Sequence, residues 1–295
     1  MSRDCQTIEE SINLVNEAID NAIESNGLES AVQMLEPYAH KSLYHSAFRS
    51  ILIILKAGLT LKKDDLEKAS EATEQTAKLS NKYRRTGFLN NLVKLFKTPN
   101  YDKYTDLEIH AELTYAKFLG MSAILCALEA QNIYALIKIA YRLRLCVSAF
   151  KECKTILRNR SIWESETSKQ HFEAGVRLAN GIQHLTISHI PPKLLKIVNF
   201  LGYKGVESRA FQELSRTAFE LPGISSRIAQ VVLLFYWIAG QPHASIDYAE
   251  LVRQQSVHSP AIITYLVAIF RYAKSVDDCD PQMKQTAAKL FESVY

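Results

Sequence analysis

The residues of this 295-residue chain that could do chemistry fall into a few small sets. His184 and His189 are five apart, as are His40 and His45. A zinc ion shared on one helical face needs two imidazoles four apart, and a spacing of five turns them about 140° from each other. Neither pair is expected to hold a metal. Glu108, His110 and Glu112 put two carboxylates on one helical face beside an off-face imidazole. Groups of these types perform general acid–base work, but a solvated face or a buried polar contact is the expected use here. Gly202 and Gly205 have the spacing of a KH-domain loop that clamps a nucleotide backbone. The flanks read as helical rather than stranded, so these are expected to be turn glycines. The sequence contains no phosphate-loop, Gly-x-Ser-x-Gly or dinucleotide pattern. Neither catalytic residues nor a cofactor is expected.

Two stretches are better suited to holding a partner. From Ile133 to Arg160 the chain carries seven basic residues against one acid, Glu152. Ile139, Leu143, Cys146, Phe150, Cys153 and Leu157 follow 4-3-4-3-4 spacing, which draws an apolar seam along one side of a helix. Beside that seam Arg144, Lys151, Lys154 and Arg158 fall within about an 80° sector at 100° per residue. The sector reads as a solvated face or as a site for an acidic peptide, with anionic lipid a further reading. Nucleic acid is not expected, because no interleaved exposed aromatics offer bases a surface to stack on. The second stretch is Lys193 to Leu201, where apolar side chains surround a short helix and Lys193, Lys196 and Asn199 alone are polar. It reads as a buried connector; the alternative is a peripheral membrane contact through Lys193, Leu194, Lys196, Ile197 and Phe200.

The elements that carry these residues are helices. Ten glycines and eight prolines are about half the usual combined share of ~12%, so long helices with short joints are favoured over sheets. Periodicity predicts helices over residues 7–25, 28–39, 43–59, 64–82, 106–130, 133–158, 169–189, 208–219 and 225–239, with two or three more to follow. Ile51 to Leu55 is apolar all round and predicts a central position for its helix. Thr98 to Asp102 is polar and reads as an open, protease-sensitive linker. The divisions expected are 1–98 as amino-terminal hairpins, 103–240 as a central helical region and 241–295 as degenerate repeat-like helices. Leu28-Glu29-Ser30-Ala31, Leu66-Glu67-Lys68-Ala69 and Ile246-Asp247-Tyr248-Ala249 repeat one pattern in which a small Ala lets a neighbouring helix approach. The fold class expected is all-α: antiparallel helix pairs stacked as a helical solenoid like that of tetratricopeptide (TPR) repeats.

The amino terminus is polar and the longest apolar runs fall far short of the ~20 residues that span a bilayer, which predicts a cytoplasmic protein, with the nucleus or the surface of an organelle membrane compatible. Five cysteines without Cys-x-x-Cys spacing predict reduced, mostly buried thiols. The basic excess is confined to residues 101–200, with 13 Lys and Arg against nine Asp and Glu.

Leu107 to Ala116, His171 to Val176, Leu185 to Ser188, Pro191 to Ile197 and Phe200 to Gly205 occur in an order and spacing that resemble the tetratricopeptide repeat protein 39 family, which includes a fungal protein of inclusion-body clearance. Leu35 to Ala39 and Ser42 to His45 are similar to its first hairpin. The resemblance covers roughly residues 8 to 275. It implies a non-enzymatic adaptor for protein partners, with family roles in lipid homeostasis, inclusion clearance and cilium assembly. Family members run on through further carboxy-terminal repeats, so the array is expected to be cut short after Tyr295.

Overall fold

The computed structural model describes residues 8–24, 27–85, 99–128, 133–189, 205–240, 246, 249–250, 253 and 260–293. Among the described residues the regular secondary structure is helical, without a strand. The principal helices are α1 (Ile8–Glu24), α2 (Leu28–Ala39), α3 (Leu43–Thr60), α4 (Lys63–Tyr83), α5 (Asp106–Leu128), α6 (Ile133–Asn159), α7 (Glu166–Ser188), α8 (Glu207–Glu220), α9 (Ile224–Gly240), α10 (Pro260–Asp277) and α11 (Pro281–Glu292).

Local chemistry explains where several of them start. Thr105 and Glu108 form a reciprocal capping box at α5: the Thr105 N–H donates to Glu108 Oε2 at 2.8 Å, and the Glu108 N–H donates to Thr105 Oγ1 at 3.2 Å. Ser165 Oγ accepts the Ser168 N–H at 3.1 Å, so α7 opens three residues before the apolar pattern that predicts its start at Lys169. Asp280 Oδ1 accepts the Gln282 and Met283 N–H groups at 2.9 and 3.1 Å ahead of Pro281, a residue suited to a first helical turn.

The chain divides into two compact units, one of residues 1–179 and 190–204, the other of residues 180–189 and 205–295. In the first, each helix from α1 to α5 packs on the next in sequence. Short joints make most of these neighbours antiparallel. The joint between α4 and α5 is longer, and these two are antiparallel as well, since Arg84 meets Glu112 while Ala69 packs with Leu125. The result is a TPR-like stack of helix pairs. Ala31 in α2 and Ala69 in α4 are fully buried, as the repeated pattern predicts. Tyr101, Ile109, Leu113, Phe150, Cys153 and Phe172 form the heart of this unit's core. Burial pushes the Cys146 thiol up to about 12 and Cys153 also upward, which keeps both protonated. Cys279, by contrast, is exposed.

Two expectations change. Ile51 to Ile54 are half-buried and Leu55 is 50% exposed: α3 packs mainly on α2 and α4, with smaller contacts to α1 and α5, and these neighbours do not enclose it. Nor is the joint before α5 open at its carboxy-terminal end. Tyr101 is 2% exposed and donates its hydroxyl to Glu152 Oε1 at 3.1 Å. Asp102 Oδ1 accepts the N–H groups of Ser161 and Ile162 at 2.7 and 2.9 Å. These bonds hold the Asp102 carboxyl below its ordinary value and pin the joint to the chain that links α6 with α7.

In the second unit α8 packs on α9 and α10 on α11. A Cβ on Gly205 would lie 2.4 Å from the Ser188 backbone nitrogen and 2.7 Å from the Ile187 carbonyl carbon. Gly205 is therefore a glycine of close approach, where backbone meets backbone. Gly205→Ala is expected to destabilise the protein by about 1–3 kcal/mol, the range for overpacking a tight contact, as a lowered urea midpoint. Unchanged stability would show that the contact yields freely.

Candidate functional site

A connected set of buried polar side chains lies inside the first unit, where the start of α5, the end of α6 and the start of α7 converge and Tyr44 of α3 reaches them. Asp106, in the first turn of α5, pairs with Arg160 at the end of α6: Arg160 Nη2 donates to Asp106 Oδ1 at 2.5 Å, and the two side chains are 0% and 3% exposed. Arg160 Nη1 also donates to the Tyr101 and Tyr104 carbonyls at 2.5 and 2.6 Å. Its Nε, without a hydrogen-bond acceptor among the described residues, belongs to a guanidinium 4.9 Å from the Trp163 ring centre. Asp106 Oδ2 accepts the hydroxyl of Ser168 and, at 3.3 Å, the Glu164 N–H.

From Ser168 the network runs on to His110 and Tyr44. His110 Nε2 lies 3.0 Å from Ser168 Oγ, and His110 Nδ1 lies 2.5 Å from Tyr44 Oη. The Ser168 hydrogen is committed to Asp106, so Ser168 Oγ accepts from His110 Nε2–H. That fixes the tautomer: Nδ1 is the bare nitrogen and accepts the Tyr44 hydroxyl hydrogen. The imidazole is accordingly neutral, and burial pushes its pKa down to about 3, helped by the nearby His171 and Lys117. Burial likewise lowers His171 to about 4 and Lys117 to about 8.

Serine, histidine and aspartate in contact suggest nucleophilic catalysis, but these roles run the wrong way. A catalytic triad has histidine accepting the serine hydrogen and aspartate orienting histidine. Here serine donates to aspartate and accepts from histidine, and Ser168, His110 and Asp106 are all buried. The arrangement ties helices together and leaves the hydroxyl unactivated. Glu112, the other acid near His110, is consumed by Arg84, which donates to it from Nε and Nη2 at 2.7 and 2.8 Å and so bolts the end of α4 to α5. Among the described residues no group of three or more His, Cys, Asp and Glu is placed to hold a metal ion.

The basic residues of α6 divide in two. Arg142, and more loosely Lys138, reach Glu74 of α4, Arg142 also donates to Cys126 Sγ at 2.7 Å, and Arg160 is held by Asp106. Lys154 is half-buried. Arg144, Lys151 and Arg158 are exposed along one side, without an ion-pair partner among the described residues. The apolar seam faces inward, with Cys146, Phe150 and Cys153 buried and Leu157 packed against them. A cleft of about 310 Å³ between α2, α3 and α4 is a second candidate surface. Its acids and bases balance, and Lys56 pairs with Glu29 across it at 2.6 Å, so it projects little field. Lys193, Leu194, Lys196, Ile197 and Phe200 lie outside the described residues. No described helix is long and apolar enough to cross a membrane.

The family described as Iml2/Tetratricopeptide repeat protein 39 matches residues 17–246, most of the helical stack. The chain belongs to that family. Tetratricopeptide repeat protein ttc-39B of Caenorhabditis elegans is 28% identical over 235 residues, covering 77% of this chain and 40% of that protein. This member of the Iml2/tetratricopeptide repeat protein 39 family thus spans about 40% of the length of that curated relative. No solved structure matches it.

Sequence periodicity could not find the network of this family member, since Tyr44, Asp106, Arg160 and Ser168 are separated in the chain and each looks like an ordinary helix-end or surface residue. Asp106→Asn is expected to cost about 3–5 kcal/mol, the usual penalty for leaving a buried charge uncompensated, as a lowered urea midpoint. Because His110 and His171 bind protons less readily folded than unfolded, stability is full above about pH 6.5 and should fall as pH drops toward 4 and then 3. His110→Asn should flatten that slope; an unchanged slope would place the acid sensitivity elsewhere.

Proposed function

We propose that this chain is a non-catalytic helical scaffold that holds protein partners on the outward face of α6. The observation that supports the reading is the separation of its cations. Arg142 and Arg160 are spent on internal ties, whereas Arg144, Lys151 and Arg158 stand outward in line at intervals of seven residues. A localised line of cations on a rigid helix attracts acidic surfaces and fixes their register. Membership of a TPR-like family agrees with partner binding as the basic activity. Family roles in lipid homeostasis, inclusion clearance or cilium assembly come to this chain as proposals, and the identity of the partner decides among them.

The test is affinity capture with the full chain, followed by mass spectrometry. A defined set of proteins is expected with the native sequence and loss of that set with Lys151→Glu/Arg158→Glu, at unchanged helicity because both positions are exposed. Capture should weaken between 0.1 and 1 M salt, as the screening length falls from about 10 to about 3 Å. The same set held by the double variant, at every salt concentration, would refute this face as the binding surface.

A further inference from the structure

The outward line on α6 begins before its cations. Tyr134, Ile137 and Tyr141 are 74%, 63% and 63% exposed. Tyr134, Ile137, Tyr141, Arg144, Ser148 and Lys151 follow one another at 3-4-3-4-3 spacing, all exposed, and Arg158 stands one heptad beyond Lys151. At 100° per residue this line is centred roughly 175° from the buried positions Cys146, Phe150 and Cys153. One helix therefore carries two seams: the inner one builds the core, and the outer one is about 36 Å long at 1.5 Å per residue.

The outer seam is sorted along its length. Its first part, about 10 Å, is aromatic and aliphatic, and its second, about 21 Å, is basic. A helix lying on a membrane sorts its groups around the circumference instead, apolar below and basic at the flanks along the whole length. Alternating steps of three and four average 3.5 residues, the repeat that keeps a seam facing a second helix wound against it. Tyrosine at such positions offers large, rigid contact area.

We propose that the outer seam of α6 docks an amphipathic helix of a partner protein, whose heptad positions are apolar beside Tyr134 to Tyr141 and carry Asp or Glu beside Arg144 to Arg158. This rests on the scaffold reading and adds the partner's conformation and charge order. Both halves are needed: apolar contact supplies affinity, and the acid–base pairing sets which way the partner runs.

The probe is a synthetic, fluorescently labelled peptide of about four heptads, with Leu at a and d throughout one half and Glu at those positions in the other. Binding to the full chain is read by fluorescence anisotropy. The expected result is saturable binding, weakened about tenfold or more by Arg144→Glu/Lys151→Glu/Arg158→Glu and separately by Ile137→Ser. A peptide of identical composition with its heptads shuffled should not bind. Circular dichroism of each variant, expected unchanged, excludes misfolding as the cause. Equal binding of the shuffled peptide would overturn the proposal in favour of unspecific charge attraction. Absence of peptide binding would also overturn it, whether or not the chain floats with phosphatidylcholine–phosphatidylserine vesicles; flotation lost in the triple variant would identify a membrane face. A dimer that Ile137→Ser dissociates, without peptide binding, would make a second copy the occupant. Failure of the peptide while Lys151→Glu/Arg158→Glu still abolishes protein capture would remove the helical partner alone and leave the scaffold reading standing.

Discussion

The first unit depends on one buried ion pair. Asp106 at the start of α5 and Arg160 just past the end of α6 meet at the open end of a helical hairpin, and desolvating either alone would be too costly for the fold to tolerate. Each is satisfied several times over: the guanidinium also holds two carbonyls of the short turn before α5, and the carboxylate holds Ser168 and Glu164 on the far side. The start of α5, the end of α6 and the start of α7 are thereby fixed to one another. His110 and Tyr44 extend the tie toward α3, provided the imidazole stays neutral. The polar interior is thus a clamp whose specificity comes from directed hydrogen bonds, while Phe172, Ile109 and Phe150 around it supply the nonspecific burial.

That clamp has a consequence for the surface. By anchoring α6 at its carboxy-terminal end through Arg160, and at mid-helix through Arg142 and Glu74, the fold sets the rotation of this helix about its axis. Rotation decides which residues of an evenly cationic sequence face water. Arg144, Lys151 and Arg158 are outside because Cys146, Cys153 and Arg160 are inside. The scaffold role proposed above would gain from such anchoring, since a fixed line of charged and aromatic groups loses little entropy on meeting a partner.

Much of the architecture was legible in the sequence. Scarce glycine and proline and apolar spacing of three and four determined an all-α chain of neighbouring helices. Capping contacts are equally local, in Thr105 with Glu108 and in Asp280 before Pro281. The small alanines of the repeated pattern pointed to close helix contact, and Ala31 and Ala69 are fully buried. These features rest on interactions within a few residues, which periodicity records directly.

Tertiary structure alone decided the rest. Tyr101 and Asp102 look like linker residues until Glu152 of α6 accepts the Tyr101 hydroxyl and the chain after α6 donates to Asp102, and Ile51 to Leu55 look central until part of the α3 surface proves to stay open to solvent. The division of the α6 cations into tied and outward-facing sets depends on Glu74 and Asp106, which are distant in sequence. A one-dimensional pattern fixes the angle between two residues of one helix, but not which partner from another helix meets either of them. Charge and spacing could therefore be read from this sequence, whereas satisfaction of charge, and with it the surface left for a partner, was settled by packing.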